Sequence, residues 1–135
     1  MLTKTCNLLF MTFLYPFTFF IKRNHQYVAF GSWSGELFVD NSYYLAKFME
    51  QNEPDLKIFW VGKKKLKKEI ESNSRIKFLE INTFKSSIIL MKCKYMFCAQ
   101  MHISDLSFFN VFRGSVICYL HHGVPVKKWA EDAVD

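Results

Sequence analysis

A chain of 135 residues is the size of one domain. Half of it is hydrophobic and 15 residues are Phe, so it can bury a real core and is not a disordered tail. The net charge of +6 favours anionic partners, such as phosphate-rich substrates, acidic lipid surfaces or nucleic acid, without choosing among them.

The chain opens on an apolar stretch from about Leu8 to Ile21, with Lys4 before it and Lys22 and Arg23 after it. It is shorter than the ~20 residues a spanning helix needs. It offers no small-residue cleavage site of the kind that ends a signal peptide, and Pro16 would kink or end a helix. Two readings fit: a helix packed on the domain, or an aromatic-rich helix in the membrane interface whose basic flanks meet anionic headgroups. The all-round apolarity favours the second. Residues 1–23 are therefore expected to be a membrane-interfacial segment, and residues 24–135 a domain of their own.

From Gln26 the pattern alternates. Tyr27–Trp33 reads as a buried strand feeding a Gly/Ser loop. Asp40, Asn41 and Ser42 are N-cap candidates for a helix carrying Tyr44, Leu45, Phe48 and Met49. Leu56–Gly62 is a second strand, and "KKKLKKEIESN" a short charged helix. Arg75–Ile81 is a third strand, and a helix follows with Asn82 and Thr83 as caps. Lys94–Gln100 and Ser115–Gly123 complete five strands. Strand and helix in alternation predict an α/β fold: a Rossmann-like, mostly parallel sheet with helices on both faces. Ligands of such sheets bind beyond the carboxyl ends of the strands.

That rule singles out Gly31-Ser32-Trp33-Ser34-Gly35 and His121-His122-Gly123. In the first loop, glycines and hydroxyls at a strand mouth can present backbone N–H groups to an anion; a plain flexible loop is the alternative. In the second, an imidazole at a strand end can serve as a general base near neutral pH. Gly123 permits close backbone approach, Pro125 stiffens the turn, and Lys127 can face a phosphate. The alternative is a histidine closing a sheet edge with its lysines in solvent.

Neighbouring strand residues point to opposite faces, so His121 and His122 do not make a metal pair, and no metal site is expected. Neither GxGxxG nor GxxxxGK[ST] occurs, and no cofactor is expected. Cys6, Cys93, Cys98 and Cys118 lack zinc spacing and read as reduced, mostly buried thiols. The run Lys63, Lys64, Lys65, Lys67 and Lys68 reads as a solvated face, with membrane or phosphate-polymer contact as its functional option. It lacks interleaved aromatics, so nucleic acid is not expected as a partner.

Three segments together resemble the CDP-glycerol glycerophosphotransferases of teichoic acid synthesis: "YVAFGSWSGELFVDNSYYLAKFMEQNEPDLKIFWVGK", "KYMFCAQ" and "YLHHGVPVKKWAED". The last is similar to the family's HGTPxK signature. His121 stands where the family has Trp, and Val124 where it has Thr. The resemblance implies the N-terminal, acceptor-side half of a GT-B architecture. It implies His122 as catalytic base, with Gly123 and Lys127 from the same motif as substrate-binding positions; Gly31 and Ser32 of the first strand-end loop join them as substrate-binding candidates.

It implies further a transferase moving glycerol phosphate, or a related polyol phosphate, from CDP-glycerol to a membrane-linked glycolipid or polyol-phosphate polymer. CDP-glycerol would bind through a C-terminal domain that the chain does not include, so the chain alone is expected to be inactive. The expected location is peripheral, on the anionic cytoplasmic face of a bacterial membrane. Two alternatives stand beside this one: a fragment of a GT-B glycosyltransferase using a nucleotide sugar for surface polysaccharide, and a non-catalytic truncated membrane-binding module.

Overall fold

In the computed structural model the described residues are 15–72 and 74–121. Five strands, β1 (Asn24–Gly31), β2 (Lys57–Gly62), β3 (Lys77–Glu80), β4 (Cys93–Cys98) and β5 (Val116–Tyr119), form one sheet in the order β3-β2-β1-β4-β5. Every neighbouring pair is parallel. Four helices accompany them: α1 (Asp40–Asn52), α2 (Lys67–Glu71), α3 (Phe84–Leu90) and α4 (His102–Asp105). The α/β fold expected from the alternating pattern is the one observed.

Strand residues alternate between two cores, as the pleat requires. Val28, Phe30, Ile58 and Trp60 point to one face, where Ala46 of α1 and Ile70 of α2 cover them. Ala29, Phe59, Val61 and Met96 point to the other, beneath Leu90 of α3 and the segment from Leu106 to Phe112. Among the described residues Trp60 is the largest fully buried side chain. It stacks on Phe30 at 6.3 Å and takes Phe38 edge-on at 4.6 Å. Aromatic pairs in these geometries contribute beyond the area they bury.

Element boundaries differ from the sequence pattern where side chains do something other than continue the run. The first strand stops at Gly31 rather than Trp33, because Ser32 turns its hydroxyl back onto the loop. The charged helix is split into a 3-10 turn at Lys64–Leu66 and α2. Thr83 caps α3 as expected, accepting from the Ser86 amide.

The end of the sheet opposite the candidate site is closed by Arg23. Its guanidinium donates to the carbonyls of Leu90 and Val111, each at 3.0 Å, and to that of Arg113. Arg113 in turn lies over the Phe19 ring, 3.4 Å from its centroid. The short helical turn Tyr15–Phe19 is thereby buckled to the amino edge of the sheet. No helix among the described residues is long and apolar enough to cross a membrane.

Candidate functional site

The strand order reverses between β1 and β4: the chain travels outward from β1 to β3, then returns to the other side of β1. A crevice opens at such a point beyond the carboxyl ends of the strands. Its floor is Gly31, the last residue of β1. A Cβ there would collide with the carbonyl oxygen of Asp105 and lie 2.9 Å from Leu106 Cδ2. Only glycine lets α4 sit this close to the strand.

The loop beyond is tightly specified. Ser32 is fully buried, and its hydroxyl reaches the carbonyls of Leu37 at 3.1 Å and Val39 at 3.4 Å. Trp33, Ser34 and Gly35 follow with φ of 47°, 52° and 74°, three successive left-handed residues. For the two that are not glycine this costs about 1–2 kcal/mol each. Several contacts hold the turn in place. The Ser34 amide donates to Asp105 Oδ1 at 2.9 Å, and the Trp33 indole donates to Asp40 Oδ2 at 3.0 Å. Gly35 packs on Gly62 at the end of β2, where an added Cβ would stand 3.2 Å from the Gly62 Cα.

Asp105 is the hub. Its carboxylate is fully buried. Besides Ser34 it accepts from the Gln100 amide at 2.7 Å, so one side chain fastens the loop after β1 to the loop after β4.

Asp40, Asn41 and Ser42 were expected as N-caps, but the residue in the capping position is Val39, without a side-chain cap bond. All three side chains make other ties. Asp40 holds Trp33. The Ser42 hydroxyl donates to the Gly31 carbonyl at 3.2 Å. The Asn41 amide crosses to the far end of β5 and donates to the carbonyls of Leu120 at 3.1 Å and His121 at 2.8 Å. His121 is exposed, with φ of 48°. His122, Gly123 and Lys127 lie outside the described residues. Of the sequence-predicted positions, Gly31 and Ser32 are described. They meet at the crevice floor, and the backbone leading to His122 is held one helix position from Ser42.

Beside this turn, His102 Nδ1 and the Tyr119 hydroxyl are 2.6 Å apart, and Phe112 packs edge-on against the imidazole with centroids 4.8 Å apart. Sequence reading passed over this pair, Asp105 and the whole of α4. A four-residue helix is too short to show a period, and the partners are distant in sequence.

The lysine run is partly spoken for. Lys63 pairs with Glu36, and Lys65 reaches the same carboxylate at 2.7 Å. The hydrogen bonds from these two ammonium groups hold the exposed Glu36 carboxyl down at about 2. Cys98 ends β4 beneath the crevice, but burial, reinforced by Asp105 and Cys118, pushes its thiol up to about 12. A protonated, buried thiol is not a nucleophile. Cys93, Cys98 and Cys118 are free thiols. No cluster of metal-binding side chains occurs among the described residues. A shallow cavity of about 390 Å³ lies elsewhere, lined by Phe38, Tyr43 and Lys47 on one side and Glu69 and Ile70 on the other.

The family model for CDP-Glycerol:Poly(glycerophosphate) glycerophosphotransferase matches residues 13–135. Two solved structures share the fold. One is a histidine-to-alanine variant of the wall teichoic acid polymerase TagF, with 16% sequence identity and a TM-score of 0.63. The other is a histidine-to-asparagine variant of TagF soaked with CDPG, with 15% identity and a TM-score of 0.64. Each alignment covers 82% of this chain and 26% of the polymerase chain, so the chain spans about a quarter of the length of these proteins. No curated protein matches.

Proposed function

The chain belongs to the CDP-Glycerol:Poly(glycerophosphate) glycerophosphotransferase family, and on that premise we propose that it supplies the acceptor side of a glycerophosphotransferase. The donor is CDP-glycerol, held by a second domain. The acceptor is a polyol-phosphate polymer or glycolipid linked to a membrane, and the domain works from the cytoplasmic face as a peripheral protein.

The observation that carries this reading is the hold of Asn41 on the Leu120 and His121 carbonyls. It fixes the backbone one residue ahead of His122 against the helix that rises from the crevice loop. In the reaction, an acceptor hydroxyl attacks the β-phosphorus of CDP-glycerol. His122 takes the hydroxyl proton as the new P–O bond forms. The bond from the β-phosphorus to its bridging oxygen breaks, and CMP leaves. Lys127 faces phosphate charge, and Gly123 allows the backbone to approach the substrate. The roles of Gly31 and Ser32 follow from shape. Gly31 lets α4 close on the strand, and Ser32 turns its hydroxyl inward, so the loop meets the acceptor with backbone.

The test joins the chain to the donor-side domain of a family member and follows CMP release from CDP-glycerol. His122→Ala is expected to lower kcat by about 10²–10⁴-fold, the usual contribution of a general base. Full activity in that variant would remove His122 from the role. The chain alone is expected to release no CMP, and turnover without the second domain would overturn the division of labour. Faster turnover with a nucleotide sugar than with CDP-glycerol would replace this reading by that of a glycosyltransferase.

A further inference from the structure

The proposed mechanism leaves unused the one pair of proton-exchanging side chains that the described crevice edge holds close together. His102 opens α4 after β4, and Tyr119 ends β5. Their side chains meet at 2.6 Å. Cys98 and Tyr119 are register partners on adjacent strands, and the ladder continues through the Leu120 amide to the Cys98 carbonyl at 2.9 Å. The pair therefore stands on the same edge as the turn that leads to His122.

Tyr119 is 44% exposed and His102 is half-buried, so neither is a core residue. Yet the imidazole is not free to turn: Phe112, itself buried, meets it at an interplanar angle of 89°. Ordering a surface side chain costs rotamer entropy. Two contacts share that cost here: Tyr119 engages Nδ1 and Phe112 the ring, so Nε2 is the nitrogen left for a ligand. When the Tyr119 hydroxyl donates to Nδ1, the imidazole proton sits on Nε2 and is available to an outside acceptor. When the imidazole is protonated, Nδ1 donates to the phenol oxygen and Nε2 still carries its proton. Both of these arrangements present a hydrogen-bond donor, and the second adds positive charge; the neutral tautomer with its proton on Nδ1 would offer Nε2 as an acceptor instead, and an oxyanion selects against it. A phosphate oxygen is the ligand atom that suits such a donor.

We propose that His102 and Tyr119 form an oxyanion-binding subsite on the acceptor side, taking a phosphate of the polyol-phosphate chain whose hydroxyl is to be activated. This rests on the acceptor-side reading above. Tyr119 fixes the ring and His102 touches the phosphate, while proton removal stays with His122. The subsite would select an acceptor that already bears a phosphodiester over a free polyol.

The test uses the 135-residue chain, isotope-labelled, and follows the His102 and Tyr119 ring resonances by NMR. Inorganic phosphate and glycerol 3-phosphate are expected to move them saturably, and glycerol to leave them unmoved. His102→Gln should abolish the saturable response. Tyr119→Phe keeps the ring and removes only the hydroxyl, so it should weaken phosphate affinity about fivefold, the equivalent of one hydrogen bond. A Tyr119→Phe chain with a lower Tm and unchanged phosphate affinity would show a mere staple between α4 and β5, and would overturn the proposal. Shifts confined to lysines would overturn it too. Tighter binding of CMP than of glycerol 3-phosphate would assign the subsite to the donor and defeat the acceptor claim. The titration needs no donor domain and no turnover, so its failure is separable from failure of the proposed reaction.

Discussion

Removing the Asp105 carboxylate should loosen the crevice before it unfolds the domain. The side chain accepts from two backbone amides, Ser34 at 2.9 Å and Gln100 at 2.7 Å. Hydrogen bonds to a charged group contribute about 1.5–3 kcal/mol each, which sets an upper figure of roughly 3–6 kcal/mol for the pair. Two effects reduce it. Alanine no longer has to bury a carboxylate, and Ser34 and Gln100 are themselves exposed, so water can replace part of what is lost. The left-handed turn at Trp33 and Ser34 can also relax once released.

We therefore expect Asp105→Ala to cost about 3 kcal/mol in urea unfolding. Asp105→Asn, which keeps one good acceptor and turns an amide toward the other donor, should cost about half of that. Small domains have roughly 5–15 kcal/mol in total, so both variants should stay folded. The site-specific readout is amide hydrogen exchange. Protection at Ser34 and Gln100 should fall by more than protection in β2. Wild-type stability for Asp105→Asn, to within about 0.5 kcal/mol, together with unchanged exchange at both amides, would refute the clamp.

Three further outcomes are expected. Glu36 has its carboxyl depressed to about 2 by Lys63 and Lys65. Its contribution to stability is therefore complete above the ordinary glutamate range and is lost as pH falls toward 2. Glu36→Gln should flatten the acid limb of a stability-versus-pH curve there, and an identical limb would show that the pairs are absent in solution. Burial raises the thiols of Cys93 and Cys98 to about 12 each, so neither should be alkylated by iodoacetamide at pH 8 in the native chain, while both should react in urea; mass spectrometry decides. Flotation with anionic liposomes should depend on residues 8–21, and flotation unchanged by deleting them would remove the interfacial role proposed for that segment.

The five strands were legible because each is a short apolar run bounded by turn residues, and a strand of that kind reads the same from either neighbour. The crevice was legible only as a location. The sequence marks Gly31 as part of a loop that can face an anion; that its missing Cβ also makes room for the backbone of Asp105, 74 positions later, is visible only in the fold. Asp40, Asn41 and Ser42 were read as caps because those side chains favour helix starts, and the local signal cannot show that three tertiary partners compete for them. The Asn41 amide finds carbonyls some 80 residues on. Asp105 carries no local mark at all: a single acidic residue in the mixed stretch MHISDLSFF is buried because two loops converge on it. The family signature around His122 was legible as residues, but its geometry belongs to positions beyond the described 121.

The Arg23 buckle makes β1 a ruler. It fixes the turn Tyr15–Phe19 at one end of the sheet, and the crevice loop leaves from the other. Between them run the eight residues of β1, at about 3.3 Å per residue roughly 26 Å. If the apolar segment expected at residues 1–23 rests on a bilayer, that length sets the scale of the distance an acceptor has to cover between the headgroups and the crevice.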